Sequence, residues 1–115
     1  MKKVRVIFSP EAEEVYKHLN EIAPNSKIDR SILNAINKKV ELIKINIHYG
    51  EPIAKRLIPE EYKIKYQAAN MFRVELPNFW RMMYTLTDGE SQIEIVAFVL
   101  DILNHKDYDK KFGYK

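Results

Sequence analysis

Three charged residues stand inside segments that otherwise read as strands: Arg73 and Glu75 in FRVEL, and Arg81 in LPNFWRMMYTL. A guanidinium stays charged in proteins and is costly to bury without a partner. Strand alternation puts Arg73 and Glu75 on one face, opposite Phe72, Val74 and Leu76. It likewise groups Arg81 with Met83 and Thr85, opposite Trp80, Met82, Tyr84 and Leu86. If the apolar face packs beneath helices, Arg73, Glu75 and Arg81 converge on an exposed concave face and present fixed charge to whatever meets it. The same pattern also fits a solvated sheet face with a cross-strand Arg–Glu pair worth roughly a few tenths of a kcal/mol.

His105, Lys106 and Tyr108 follow the last predicted strand. A histidine there could exchange protons, or simply cap a helix or face solvent. Tyr62, Lys63, Lys65 and Tyr66 make a basic, aromatic segment that could touch RNA, while core packing also accounts for the tyrosines. No metal-binding pattern is present: there is no HExxH and no cysteine, and His18, His48 and His105 are scattered. Three glycines provide neither a phosphate loop nor a Gly-x-Ser-x-Gly elbow, and no cofactor is implied.

The elements that must carry these residues are legible in outline. VRVIF alternates as a first strand. Ser9 can cap a helix with Pro10 at its first position and Glu11, Glu13 and Glu14 near its positive end. Pro24-Asn25 ends that helix, and Ser26 with Asp29 opens another. Ile28, Ile32, Ile36, Val40, Ile43 and Ile47 form its stripe, so it could run ~33 Å before Gly50 and Pro52. His18 and His48 fall on these helices, which should form an antiparallel hairpin. Residues 51–70 suggest a short helix from Pro59-Glu60-Glu61 or an irregular connector. Then come FRVEL, a Pro77-Asn78 turn, the strand FWRMMYTL, an Asp88-Gly89 hairpin and the apolar strand IEIVAFVL. Asn104 can cap a terminal helix HKDYDKKF.

The 115 residues suit one domain, 1–115, with a hydrophobic fraction of 46% and a charged fraction of 30%. No apolar stretch approaches the ~20 residues of a membrane span, and no signal-like region precedes Ser9-Pro10. The absence of cysteine excludes disulfide and thiolate chemistry and makes the cytoplasm the expected compartment. A net charge of +3 is compatible with a nucleic-acid partner without demanding one.

The order and spacing of these pieces resemble the RelE/ParE toxin superfamily of toxin–antitoxin modules. The resemblance runs from SPEAEEVYKHL through the helical hairpin and EPIAKRL. It is most specific in FRVELPNFWRMMYTLTDGESQIEIVAFVLDI, with its R-x-x-Y of Arg81 to Tyr84, and in NHKDYDKKFG. It implies an α+β fold of order β-α-α-β-β-β(-α), with the helical hairpin packed on a small, mostly antiparallel twisted sheet. It also implies a metal-independent endoribonuclease that cuts messenger RNA on the ribosome. Arg81 matches the family's strand arginine and would hold the scissile phosphate. Glu75 or His105 would be the base, and His105 or Tyr108 the acid. Arg73 would bind phosphate, with Lys106, Lys63 and Lys65 as further contacts. RelE-type enzymes often have basic residues where Glu75 stands; YoeB-like relatives use a glutamate with arginine, histidine and tyrosine, which this chain matches better. Phe112 competes with Tyr108 for the family tyrosine's place. ParE members share the fold but poison gyrase, and an inactive relative would only bind RNA or protein. The implied partners are a cognate antitoxin, messenger RNA and the ribosome, with no membrane and a homo-oligomer left open. An amphipathic antitoxin segment would fill a groove beside the terminal helix, whose Phe112 and Tyr114 look too apolar for a free tail.

Overall fold

The computed structural model describes residues 3–89 and 94–113. Strand β1 (Lys3–Phe8) leads into helices α1 (Pro10–Ile22) and α2 (Lys27–Ile45). Strand β2 (Glu51–Pro52), helix α3 (Glu60–Tyr66), and strands β3 (Phe72–Glu75), β4 (Arg81–Asp88) and β5 (Glu94–Leu103) follow, with helix α4 (His105–Phe112) last. Short helical turns cover Ala23–Asn25, Lys55–Leu57 and Pro77–Phe79. The sheet order is β1-β5-β4-β3-β2, with β1 parallel to β5 and every other pair antiparallel. The fold is therefore α+β around a mixed five-stranded sheet. Among the described residues no helix is long and apolar enough to cross a membrane.

Local chemistry explains the ends. Ser9 Oγ accepts the N–H of Ala12 at 3.0 Å, and Ser26 Oγ that of Asp29 at 3.2 Å, so both helices start at the expected caps. The Ser9 hydroxyl also donates to the Leu100 carbonyl at 2.7 Å, fixing the start of α1 to β5. Asn104 Oδ1 takes the Asp107 N–H, as expected for α4. Helix α2 stops earlier than its stripe predicts. Asn46 turns extended, at φ −139°, and leaves Ile47 and His48 in a turn. The buried Tyr84 hydroxyl explains that stop: it donates to the Ile47 carbonyl at 2.8 Å and accepts the Gly50 N–H at 2.9 Å, drawing the loop onto the sheet.

The hairpin α1–α2 covers one sheet face as expected. Ala12, Leu19, Ile32, Ile36 and Ile43 pack on Phe72, Val74, Met82, Tyr84, Ala97, Val99 and Ile102. The other face departs from the sequence reading. Instead of an open concave surface it carries a second core, in which Tyr62 of α3 and Tyr108 of α4 meet Met71, Met83, Leu100 and Leu103, with Phe112 at its edge. Helix α4 lies on this face through Tyr108. Residue Tyr114 lies outside the described residues.

Two further boundaries differ. Strand β4 begins at Arg81 rather than Phe79, because Asn78 and Phe79 both have positive φ, 59° and 62°. The Trp80 N–H returns to the Pro77 carbonyl at 3.3 Å, closing a two-residue turn of the kind that usually carries Asn-Gly. At the other end of β4 the Gly89 N–H donates to the Glu94 carbonyl at 3.0 Å, consistent with the expected hairpin; residues 90–93 of its turn lie outside the described residues.

Candidate functional site

The three strand charges do come together. Glu75 and Arg81 are direct cross-strand partners, and Arg81 Nε lies 3.1 Å from Glu75 Oε2. Arg73 Nε lies 3.4 Å from the other oxygen of the same carboxylate. Neither Nε–H is aligned for a hydrogen bond, although both atoms are buried. Glu75 therefore balances two guanidiniums by proximity rather than by a bidentate fork. Arg81 also donates through Nη1 to the Phe79 carbonyl, across the turn that precedes its strand.

Helix α4 supplies the floor. The Arg81 guanidinium lies 5.1 Å from the Tyr108 ring centre, and Arg73 Nη1 donates to the Tyr108 hydroxyl at 3.2 Å. Phe112 stacks beneath Tyr108 with ring centres 4.4 Å apart. Tyr108 is only 2% exposed, whereas the Glu75 and His105 side chains are each 59% exposed. The His105 ring lies 5.7 Å from that of Phe79, and its Nε2 is 3.2 Å from the Asp109 carboxylate one turn along. Arg73, Glu75, Arg81 and Tyr108 thus form one cluster, and His105, at the start of α4, adjoins it through the Phe79 turn.

The arginines are held by more than strand alternation reveals. Glu51 of β2 pairs with Arg73 in register and binds its Nη2 at 2.9 Å. The Tyr108 oxygen first, and then Glu51, push the Arg73 guanidinium still further up, so it remains charged. Glu51 went unrecognised because a two-residue strand has no periodicity to read.

A second polar cluster anchors α3 and α4. A register shift between Met83 and Tyr84 brings Asp101 opposite Met83, on the face of the second core. There the Tyr62 hydroxyl donates to Asp101 at 2.9 Å, while Lys111 reaches Glu61 at 2.9 Å and Asp101 at 3.6 Å. Burial pushes the Asp101 carboxyl up, against the Tyr62 hydrogen bond and the Lys111 charge. Burial alone would push Lys111 down, but Glu61 and Asp101 more than offset it. Burial and then the Asp101 charge hold the Tyr62 phenol well above its ordinary value. These groups fix the seat of α4 and so the place of His105 and Tyr108.

The lysines are dispersed. Lys65 binds Glu11 at 2.6 Å, beside Tyr66, whose ring sits 5.2 Å from Phe98. Phe98 pairs with Thr85, four residues along β4 from Arg81, hence about 13 Å away. Lys63 reaches Glu60 on its own helix at 3.9 Å. Only Lys106, exposed in the first turn of α4, stays beside the patch. His48 packs on Phe72 on the other face of the sheet, at 5.7 Å. The R-x-x-Y spacing does not make a joint site: Arg81 and Tyr84 are an odd number of residues apart and serve opposite faces of the sheet. Among the described residues no group of three or more metal-ligating side chains occurs.

The chain matches no family model, no curated protein and no solved structure in these comparisons.

Proposed function

We propose that this protein is a RelE-like toxin of a toxin–antitoxin module that cleaves messenger RNA on the ribosome. The observation that carries the reading is the single patch in which Arg73 and Arg81 flank Glu75, above Tyr108 and beside His105. Cleavage by the RNA's own 2′-hydroxyl needs a base for that proton, positive charge on the pentacoordinate phosphate and an acid for the leaving 5′-oxygen. Glu75 serves as base and His105 as acid, because both side chains reach solvent. Arg81 and Arg73 supply the positive charge. Tyr108 positions the two guanidiniums from below rather than meeting substrate.

Inducible expression of wild type and Arg81 variants tests this. Wild type should arrest growth and cut ribosome-bound messengers. Arg81→Ala should lower the cleavage rate by about 10²- to 10³-fold, as loss of a preorganised oxyanion donor does. Arg81→Met keeps an unbranched apolar stem while removing the charge, so less of its failure to cleave comes from lost packing than in Arg81→Ala. Full cleavage by a folded Arg81→Met protein would dismiss the assignment.

A ParE-like protein that acts by binding gyrase is the second reading. It is favoured by the carboxylates of Glu51 and Glu75, which already neutralise both arginines. A nuclease must exchange one of them for phosphate. A protein-binding surface need not.

A further inference from the structure

The residue of this patch that is least explained by folding is Phe79. It is 70% exposed, yet it stands in the turn that carries Arg81. Its φ of 62° lies in the left-handed region, where glycine is the preferred occupant and a bulky residue is an outlier. Strained residues of this kind cluster at binding and catalytic sites. Burial cannot explain the choice of phenylalanine, because most of the side chain faces solvent. Its backbone is engaged: the carbonyl accepts the Arg81 Nη1 hydrogen bond. Its ring is set too, 5.7 Å from His105 at an interplanar angle of 50°.

We propose that Phe79 is a stacking platform for a nucleobase next to the phosphate held by Arg81, so that it contributes to affinity for base-bearing single-stranded RNA. This inference rests on the RNA reading above. A phosphate bound at a guanidinium carries its nucleosides within about one nucleotide step of that site, and the one large exposed aromatic ring within that reach among the described residues is Phe79. Stacking on an aromatic face is tolerant of base identity and needs no hydrogen-bond code. The shared anchor matters: one turn sets the height of Arg81, through the Phe79 carbonyl, and the height of the ring. Phosphate and base are thereby measured from the same backbone atom group. The lysines at the far end of the sheet, Lys65 in particular, play no part in this subsite.

The test uses the full chain and a short single-stranded RNA carrying 2-aminopurine, compared with an abasic backbone of the same length. Phe79→Ala should weaken binding of the base-bearing RNA by about tenfold, the scale of one stacked base, and abolish quenching of the probe. Its affinity for the abasic backbone should not change. Phe79→Trp should restore both affinity and quenching, which a merely structural role for the ring would not predict. Phe79→Gly, which relieves the turn, should fold at least as well as wild type and still lose the base-dependent part. Equal weakening for both RNAs, or no weakening, would overturn the proposal and leave the ring to a protein contact. Arg81→Met keeps the two levels apart by losing affinity for both RNAs. Wild type that binds neither RNA overturns this subsite, while the nuclease reading stands or falls separately on cleavage of ribosome-bound messengers.

Discussion

Replacing Tyr84 by Phe removes one oxygen from a side chain that is wholly buried. The ring can stay, stacked on Phe72 with centres 5.2 Å apart, so no cavity term of consequence arises. Two hydrogen bonds are lost instead. The Gly50 N–H, in a buried contact, is left without an acceptor, which costs about 1–3 kcal/mol. The Ile47 carbonyl is part-buried and can recruit water, so its loss is about 0.5–1 kcal/mol. Together the variant should lose about 2–3 kcal/mol. With an unfolding entropy of about 2.1 cal/mol/K per residue over 115 residues, that is a fall in Tm of about 10 °C. Urea unfolding followed by circular dichroism should give a lower midpoint with an unchanged slope. Below its melting range the variant should cleave RNA like wild type, because Tyr84 faces the helical hairpin and not the arginines. A stability loss under about 0.5 kcal/mol would refute the role given to this hydroxyl, and lost cleavage in a folded protein would refute its exclusion from the site.

Gly50→Ala tests the same junction from the other side. Its new Cβ would lie 2.9 Å from Tyr84 Cε1 and 3.0 Å from Phe72 Cβ, so thermal melts should show a loss of about 1–3 kcal/mol. Glu11 is held down at about 2 by the Lys65 and then the Tyr66 hydrogen bonds. A carboxyl depressed on folding stabilises above its ordinary pKa of 4.5 and loses that benefit as pH falls towards about 2. Glu11→Gln should therefore cost less than about 1 kcal/mol at neutral pH, given its exposure, and the gap to wild type should close across that window in pH-dependent melts. Glu51→Gln frees Arg73 from a competing carboxylate, so RNA affinity should rise severalfold at low salt in fluorescence titrations. An unchanged affinity would show that Arg73 meets no phosphate.

Local interactions were the legible part of this chain. Ser9, Ser26 and Asn104 each cap a helix through a contact three residues away, and alternation alone separates Arg73 and Arg81 from Val74 and Met82. Distant closures were not. Nothing near Met83 announces that Tyr62 and Tyr108, remote in sequence, will cover its face. The end of α2 depends on a hydroxyl 37 residues away, so its isoleucine stripe misleads by one residue beyond the cap. Alternation makes Phe79 the first residue of a strand because it carries no information about φ, and a bulky residue in a left-handed turn runs against every local preference. In the candidate patch, alternation and chain order announce that Arg73, Glu75 and Arg81 share a face, but not Glu51 or the layering that puts Tyr108 beneath the arginines.

The central claim is that this patch breaks RNA through the 2′-hydroxyl under the charge of Arg81. Ribosomes programmed with a messenger, incubated with the purified protein, can be analysed for the chemistry of the new RNA ends. Wild type should leave a 2′,3′-cyclic phosphate or its 3′-phosphate product facing a 5′-hydroxyl, and a folded Arg81→Met protein should leave messengers intact. Intact messengers with the wild-type protein, or 5′-phosphate ends that persist in Arg81→Met, would contradict the account.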